Sequence, residues 1–250
     1  MKPIDLQSAT WGEIKNTQYS FAVLPWGATE PHNYHLPYLT DALLAHNFAV
    51  DSVRKAQTQY GVLGMVLPPI PLGAQNPGQK ELPFCIHTRL ETQKMILTDI
   101  VDSLHYQGFR LLIILNGHGG NGLKPIVRDL AFDYPDFTIV TTEWFGFLSQ
   151  KDYFENFDDH AGEMETSVMM HYHPELVRLE TAGDGAFTPF NIEGLNTKVG
   201  WMPRRWDKTT LDTGVGDPRK ATAEKGARYV EAATDKIAKL MNDLVRESVY

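Results

Sequence analysis

Three short segments of this 250-residue chain hold carboxylate and imidazole side chains at spacings that suit metal chemistry. The first follows an apolar run at 21–24, the second lies in Asn-Gly-His-Gly-Gly-Asn at 116–121, and the third spans 159–165. The candidate metal ligands and proton-transfer groups are Glu30, His32, Asp41, His118, Asp159, His160 and Glu165. Side chains of these types bind divalent cations, and two ions about 3.5–4 Å apart can generate a nucleophilic water near neutral pH.

The spacing within the first two segments suits a shared centre. In an extended segment, residues two apart point to the same side, so Glu30 and His32 face one centre or two neighbouring centres. Asp41, at the start of the next helix, can reach the same point and bridge two ions. His118 lies among glycines, which leave room for an ion or a substrate. The alternatives are a surface Glu30, an Asp41 that only caps its helix, and satisfied loop histidines; the set as a whole favours a metal site.

The third segment suits proton transfer. Asp159 and His160 form a candidate carboxylate–imidazole pair, because histidine titrates near neutral pH. The alternative is that Asp159 caps the helix that follows. Glu163 and Glu165 fall in the first turn of that helix, and residues two apart on a helix face different ways. We therefore expect one of the two to face the metals.

Alternation of strands and helices predicts the fold class. The predicted strands are 21–27, 62–67, 111–115 and 137–142. One predicted helix begins at Thr40–Asp41, and four others span 92–106, 122–132, 162–172 and 221–245. This order predicts an α/β fold, with a layered, mostly parallel central sheet flanked by helices, in a single domain over residues 1–250. Ligand sites in such folds lie at the carboxyl ends of the strands, where the candidate segments fall.

Composition excludes several classes of function. The net charge is −8, and no basic cluster exceeds Arg204–Arg205, so we expect no nucleic-acid partner. No apolar run reaches the roughly 20 residues of a membrane helix. The single cysteine, Cys85, cannot form an intrachain disulfide, and a small buried thiol is favoured over a nucleophile. With no signal peptide recognisable at the start, the expected location is cytoplasmic.

Two long stretches, 71–83 and 181–217, lack clear periodicity and are expected to be functional lids or interface segments. Aromatic residues in the second, such as Trp201 and Trp206, argue against disorder. Trp144 and Phe145, after the fourth strand, either form the wall of a flat substrate site or are simply buried.

Several motifs, in order, resemble the creatininase family of metal-dependent hydrolases. They are Leu-Pro-Trp-Gly-Ala-Thr-Glu-Pro-His at 24–32 with Thr40–Asp41, Asn-Gly-His-Gly-Gly-Asn at 116–121, His-Ala-Gly at 160–162 with Glu-Thr-Ser at 165–167, and Gly-Val-Gly-Asp-Pro at 214–218. The likeness covers nearly the whole chain. It implies a layered α/β fold, a hexameric assembly and a two-metal centre, with zinc expected and manganese or iron as alternatives.

The resemblance also implies individual roles. Glu30, Asp41 and His118 would hold one ion, and His32 with the bridging Asp41 the other. Creatininase completes the second ion's shell with a Glu two places after the motif histidine, where this chain has Gly120; we expect Glu165 to replace it. His160 matches the proton-shuttling histidine, with Asp159 beside it. The chain further departs from the family at Asn33, in place of a common Gly, and at Phe84–Cys85.

The predicted function is a metal-dependent amidohydrolase that cleaves a non-peptide or cyclic amide C–N bond of a small-molecule substrate. A hydroxide shared by two ions would attack the carbonyl, and His160, oriented by Asp159, would pass a proton to the leaving nitrogen. The alternative is a non-catalytic small-molecule binding protein on the same scaffold, suggested by Gly120. A phosphate-binding or dinucleotide site on the glycine-rich loop is weaker, because that loop lacks the P-loop Lys and the Gly-x-Gly-x-x-Gly spacing.

Overall fold

The structure, a computed structural model, describes residues 2–249 and is built on a four-stranded parallel sheet. The strands are β1 (Phe21–Trp26), β2 (Gly64–Val66), β3 (Leu111–Asn116) and β4 (Thr138–Glu143), in the order β2-β1-β3-β4. Every pair of neighbours is parallel. The predicted α/β fold with a parallel central sheet is therefore confirmed.

Helices cover both faces of this sheet. They are α1 (Trp11–Ile14), α2 (Thr40–Lys55), α3 (Leu90–Tyr106), α4 (Leu123–Asp133), α5 (Glu163–Tyr172), α6 (Glu193–Asn196), α7 (Trp206–Thr209) and α8 (Ala223–Arg246). The sequence predicted five of these helices, α2, α3, α4, α5 and α8. The predicted start of α2 and both predicted ends of the other four lie within two residues of the observed ones. No helix among residues 2–249 has the length and apolarity needed to cross a membrane.

Continuous apolar runs place β1 and β3 at the centre, because a central parallel strand is covered on both sides. All six residues of each strand are buried. Alternate side chains enter two separate cores: Val23 and Ile113 join the core beneath α2, α5 and α8, whereas Leu24 and Ile114 join the core beneath α3 and α4. The two strand ends are thereby held rigidly at one edge of the sheet.

Two glycines let α2 approach these strand ends. A Cβ atom at Gly27, just after β1, would collide with the backbone of Asp41 and Ala42. A Cβ atom at Gly117, just after β3, would collide with the carbonyl oxygen of Asp41. The first turn of α2 therefore lies against both strand ends, with Asp41 between them.

Both aperiodic stretches pack over the same edge of the sheet. The loop at 71–83 is anchored to the end of β1, since Trp26 Nε1 donates a hydrogen bond to Leu72 O (2.8 Å). Residues 181–217, named here the cover segment, contain α6 and α7. This segment pairs with the chain before α5 through reciprocal backbone hydrogen bonds between His160 and Val215 (3.1 and 2.8 Å). Both stretches therefore belong to the enclosure of the strand ends.

Candidate metal centre

The structure gathers six of the seven candidate side chains into one buried cluster. They reach it from three places: the segment after β1 with the first turn of α2, the segment after β3, and the start of α5. None is more than 7% exposed. The six are Glu30, His32, Asp41, His118, His160 and Glu165. Carboxylates and imidazoles separated by up to 135 residues in the sequence thus share one space.

Glu30, Asp41 and His118 form the first group that could hold an ion. His118 Nδ1 lies 2.9 Å from Glu30 Oε1 and 3.1 Å from Asp41 Oδ2. One ligand atom from each residue lies within 4.8 Å of the others. Two carboxylates and one imidazole are a ligand set suited to zinc or manganese.

His32, Asp41 and Glu165 form a second group that meets the same distance criterion. His32 Nε2 lies 3.0 Å from Asp41 Oδ1 and 4.0 Å from Glu165 Oε2. Asp41 therefore turns one oxygen to each group. Glu30, His32 and His160 make a third, overlapping group, in which His160 Nδ1 is 3.8 Å from Glu30 Oε1.

Backbone carbonyls fix the direction in which the three histidines present their lone pairs. Each ring directs one nitrogen at a carbonyl oxygen, which only accepts, so that nitrogen carries the proton. The pairs are His118 Nε2 with Ala74 O (2.8 Å), His32 Nδ1 with Glu30 O (3.1 Å) and His160 Nε2 with Pro31 O (3.0 Å). The opposite nitrogens of His118 and His32 lie 2.9 to 3.1 Å from carboxylate oxygens and are satisfied only by positive charge, from either a second proton or a cation. His160 Nδ1 lies farther from its carboxylate, 3.8 Å from Glu30 Oε1.

The electrostatics of the cluster agree with this demand for positive charge. Burial disfavours a charged His32, but Asp41 outweighs burial and raises the pKa of His32 to about 10. Burial raises the pKa of the Glu165 carboxyl to about 8. Asp41 Oδ2 is buried without a hydrogen-bond partner of acceptable angle, although it lies 3.1 Å from His118 Nδ1. A carboxylate oxygen and an imidazole nitrogen that face each other in this way fit a metal ligand set, so the residues present suit divalent cations.

The two glutamates of α5 separate as expected from their spacing. Glu165 faces His32, and its Oε2 accepts a hydrogen bond from Ala161 N (2.6 Å). Glu163 turns away and pairs with Lys225 Nζ at 2.6 Å. Of the two, only Glu165 belongs to the cluster.

The expected pairing of Asp159 with His160 is wrong. Asp159 Oδ2 lies 2.6 Å from Arg204, and its side chain is 39% exposed. Neighbouring residues of an extended segment point to opposite sides, and the bridge to Val215 makes this segment extended. The cap of α5 is also provided by another residue, Asp158, whose carboxylate accepts from the backbone N–H groups of residues 162 and 165 (3.0 and 2.9 Å).

Two other sequence expectations are decided by burial. Trp144 is fully buried and stacks on Phe48 with ring centroids 4.9 Å apart, so it is a core residue rather than a substrate wall. Cys85 is a buried free thiol. Burial raises its pKa to about 12, which excludes an activated thiolate and leaves the small buried thiol.

Sequence reasoning missed two residues at the centre. Gln79 is 1% exposed and donates from Nε2 to Glu30 Oε2 (2.5 Å). Trp206 is buried and packs edge-on against His160, with centroids 5.3 Å apart. Both come from stretches without periodicity, and the only available signal was an aromatic or amide side chain in a long loop.

A parallel α/β sheet with a buried carboxylate–imidazole cluster at the carboxyl ends of its strands is the arrangement of a class of α/β proteins whose ligand site can hold divalent cations. The chain belongs to one family within this class, the creatininase family, because residues 7–241 match the family model described as creatinine amidohydrolase. The resemblance inferred from the motifs is thereby confirmed. The protein is a hydrolase that acts on carbon–nitrogen bonds.

Individual relatives cover almost the full length of the chain. A provisionally assigned creatinine amidohydrolase from Bacteroides fragilis NCTC 9343 is 58% identical, with a TM-score of 0.98 over 100% of this chain and 99% of that chain. The mycofactocin precursor peptide peptidase of Mycobacterium tuberculosis (strain CDC 1551 / Oshkosh) is 31% identical over 92% of this chain and 88% of its own length. A manganese form of creatininase, 21% identical over 98% of this chain and 100% of its own, shares the fold with a TM-score of 0.75.

Proposed function

We propose that this protein is an amidohydrolase with two divalent metal ions, which cleaves a non-peptide or cyclic amide C–N bond of a small molecule. The observation that carries the proposal is Asp41, whose two carboxylate oxygens face ring nitrogens of two different ligand groups at 3.0 and 3.1 Å. Glu30 and His118 would complete one ligand set, and His32 and Glu165 the other. Zinc is the proposed metal, with manganese or iron as alternatives.

When bound, the two ions would lower the pKa of a water and polarise the amide carbonyl. His160 is the proposed proton carrier. Its Nε2–H is held by Pro31 O, so Nδ1 presents a lone pair toward the cluster. Burial and the neighbouring His32 lower the pKa of His160, which keeps the ring neutral and able to accept a proton that it then passes to the leaving nitrogen.

Enclosure of the cluster supports a small substrate rather than an extended polypeptide. Loop 71–83 covers it from one side, where Ala74 O meets His118 Nε2. The cover segment closes another side and places Trp206 against His160. An enclosed site of this kind suits a small ligand that is buried over most of its surface.

Metal content and hydrolysis test the proposal together. Protein purified without chelator is expected to contain about two ions per chain and to release amine or carboxylate from some member of a panel of cyclic amides and formamides. Asp41→Ala should lose both ions and all turnover, because it removes the shared ligand. Asp51→Ala, on the same helix and away from the cluster, is the matched control. No bound metal after supplementation would favour the non-catalytic binding protein, and turnover of short peptides alone would reject the substrate class.

We also propose a homo-oligomer, with the hexamer suggested by the family resemblance. Large apolar side chains of the cover segment, together with that of Phe84 just after loop 71–83, stand out into solvent, and a second copy of the chain would bury them. The most exposed are Leu211 (97%), Trp201 (86%), Val199 (86%) and Phe84 (84%). Light scattering should give about six times the 28.2 kDa of one chain, and a monomer mass at micromolar concentration would reject the proposal. A cytoplasmic location is part of the same proposal, because a chain with one cysteine forms no intrachain disulfide that would require an oxidising compartment.

A further inference from the structure

We infer that Gln79 is a positioning residue for Glu30, and that it holds one oxygen of this carboxylate so that only the other oxygen faces the cluster. The inference rests on the proposed two-metal function and assigns a role to a residue outside the motifs. Gln79 is 1% exposed, and a buried amide in a loop needs specific partners for its two donors and its acceptor.

The orientation of the Gln79 amide is set by its surroundings. Asn76 N, a donor, lies 2.7 Å from the amide oxygen Oε1. The NH₂ group must therefore point the other way, where it lies 2.5 Å from Glu30 Oε2. Within residues 2–249, Gln79 is the one side chain that donates a hydrogen bond to that oxygen.

This contact leaves the other oxygen of Glu30 for the cluster. Oε1 lies 2.9 Å from His118 Nδ1 and 3.8 Å from His160 Nδ1. For Glu30 to use both oxygens on one ion, Oε2 would have to leave the amide. Gln79 thus keeps Glu30 a ligand through one oxygen. Because the amide is uncharged, it leaves the negative charge of the Glu30 carboxylate in place. A lysine at this position would neutralise that charge, and a glutamate would repel it.

The backbone around Gln79 is held in turn by the cover segment. Gln79 N donates to Asn76 O (3.1 Å), which closes a turn. Within that turn, Pro77 O accepts from Trp206 N (2.7 Å). Gly78, at φ +92°, lacks a Cβ atom that would collide with Asp207. Trp206, which packs on His160, is therefore joined to Gln79, which orients Glu30, through Pro77 and Gly78.

Metal affinity, measured directly, tests this role. Apoprotein should be titrated with Zn²⁺ against a competing chelator, for wild type, Gln79→Leu and Gln79→Glu. Loss of an orienting partner to a ligand commonly weakens metal binding by about 10–100-fold, and we expect this loss for one of the two ions in Gln79→Leu. Gln79→Glu, which keeps the shape and places a second carboxyl against Glu30, should weaken the same ion. Gln75→Leu, the same change in the same loop, is the control and should bind both ions as wild type does.

The outcomes separate this inference from the proposed function. A wild-type protein that binds no Zn²⁺ overturns the two-metal function itself. A wild-type protein with two ions, together with Gln79 variants that bind both at unchanged affinity, overturns the positioning role alone. A purely structural role is recognised by a lower melting temperature of the apoprotein with unchanged metal dissociation constants in both variants.

Discussion

Loading of the cluster with metal should release protons from the protein. Without a cation, the nitrogens and oxygens that face one another hold protons instead. The carboxylate of Asp41 overcomes burial and raises the pKa of His32 to about 10, and burial raises the pKa of Glu165 to about 8. Glu30 and Asp41 likewise outweigh burial and raise the pKa of His118 well above its usual value. At pH 7 these three groups are protonated, and each must release its proton to bind an ion.

The size of the effect follows from the number of protons displaced. Three protons per chain make the overall binding constant for both ions rise about a thousandfold between pH 6 and pH 7, because each contributes a factor of ten per pH unit. The slope should fall as Glu165 deprotonates near pH 8. The free energy of unfolding of the metal-free protein should change in the opposite direction and fall as the pH rises, because a pKa that is higher in the folded state gives stability only while the group is protonated. This stability is lost between about pH 4.5 and 8 for Glu165, and between about pH 6.5 and 10 for His32.

Calorimetric titration of apoprotein with Zn²⁺ at pH 7, in buffers of different ionisation enthalpy, measures this proton count. A plot of the observed heat against buffer enthalpy should have a slope near three, and Glu165→Gln should lower the slope by one. His46→Gln, which changes a histidine far from the cluster, should leave it unaltered. A zero slope for wild type that binds two ions would show that the facing nitrogens are not protonated, and would refute the electrostatic account.

Three further changes separate residues that act at the site from residues that do not. Glycine tolerates the left-handed backbone at position 33 (φ 53°), but Asn33→Gly removes the two hydrogen bonds between the Asn33 side chain and the backbone of Gly183. We therefore expect normal metal content with faster proteolysis of the cover segment. Unchanged proteolysis would mean that Asn33 does not anchor this segment. Cys85→Ala should keep full turnover, and native Cys85 should resist iodoacetamide at pH 8; rapid alkylation would contradict its raised pKa. Asp159→Asn should leave the pH–rate profile unshifted, because Asp159 pairs with Arg204; a shifted profile would restore its link to proton transfer.

The sequence was most informative where local rules and the fold act together. The uninterrupted apolar runs of β1 and β3 identify central strands, and a parallel sheet brings their carboxyl ends to one edge. The sequence alone therefore predicts that Glu30 and His118 lie together. Asp41 followed from its position in the first turn of the next helix.

The remaining contacts depend on long-range backbone pairing, which has no local signature. Trp206 reaches His160 because its N–H binds Pro77 O, more than a hundred residues earlier in the chain. The side on which Asp159 emerges is decided by the bridge between His160 and Val215. Neither pairing leaves a periodic pattern in the segments concerned, so the partners of Asp159 and the position of Gln79 could not be derived from them.

Gly120 shows how the departure from the family motif is built into the fold. A Cβ atom at Gly120 would collide with Ala74 O and lie 2.5 Å from His118 Nε2, the pair whose hydrogen bond fixes the ring of His118. A carboxylate therefore cannot be restored at this position by one substitution. Gly120→Glu should displace loop 71–83, free the His118 ring and lower metal content, whereas Gly119→Glu, with open space at its Cβ, should not. If Gly120→Glu instead bound two ions and tolerated the additional change Glu165→Gln, position 120 would be an available ligand site. The proposed role of Glu165 would then be wrong.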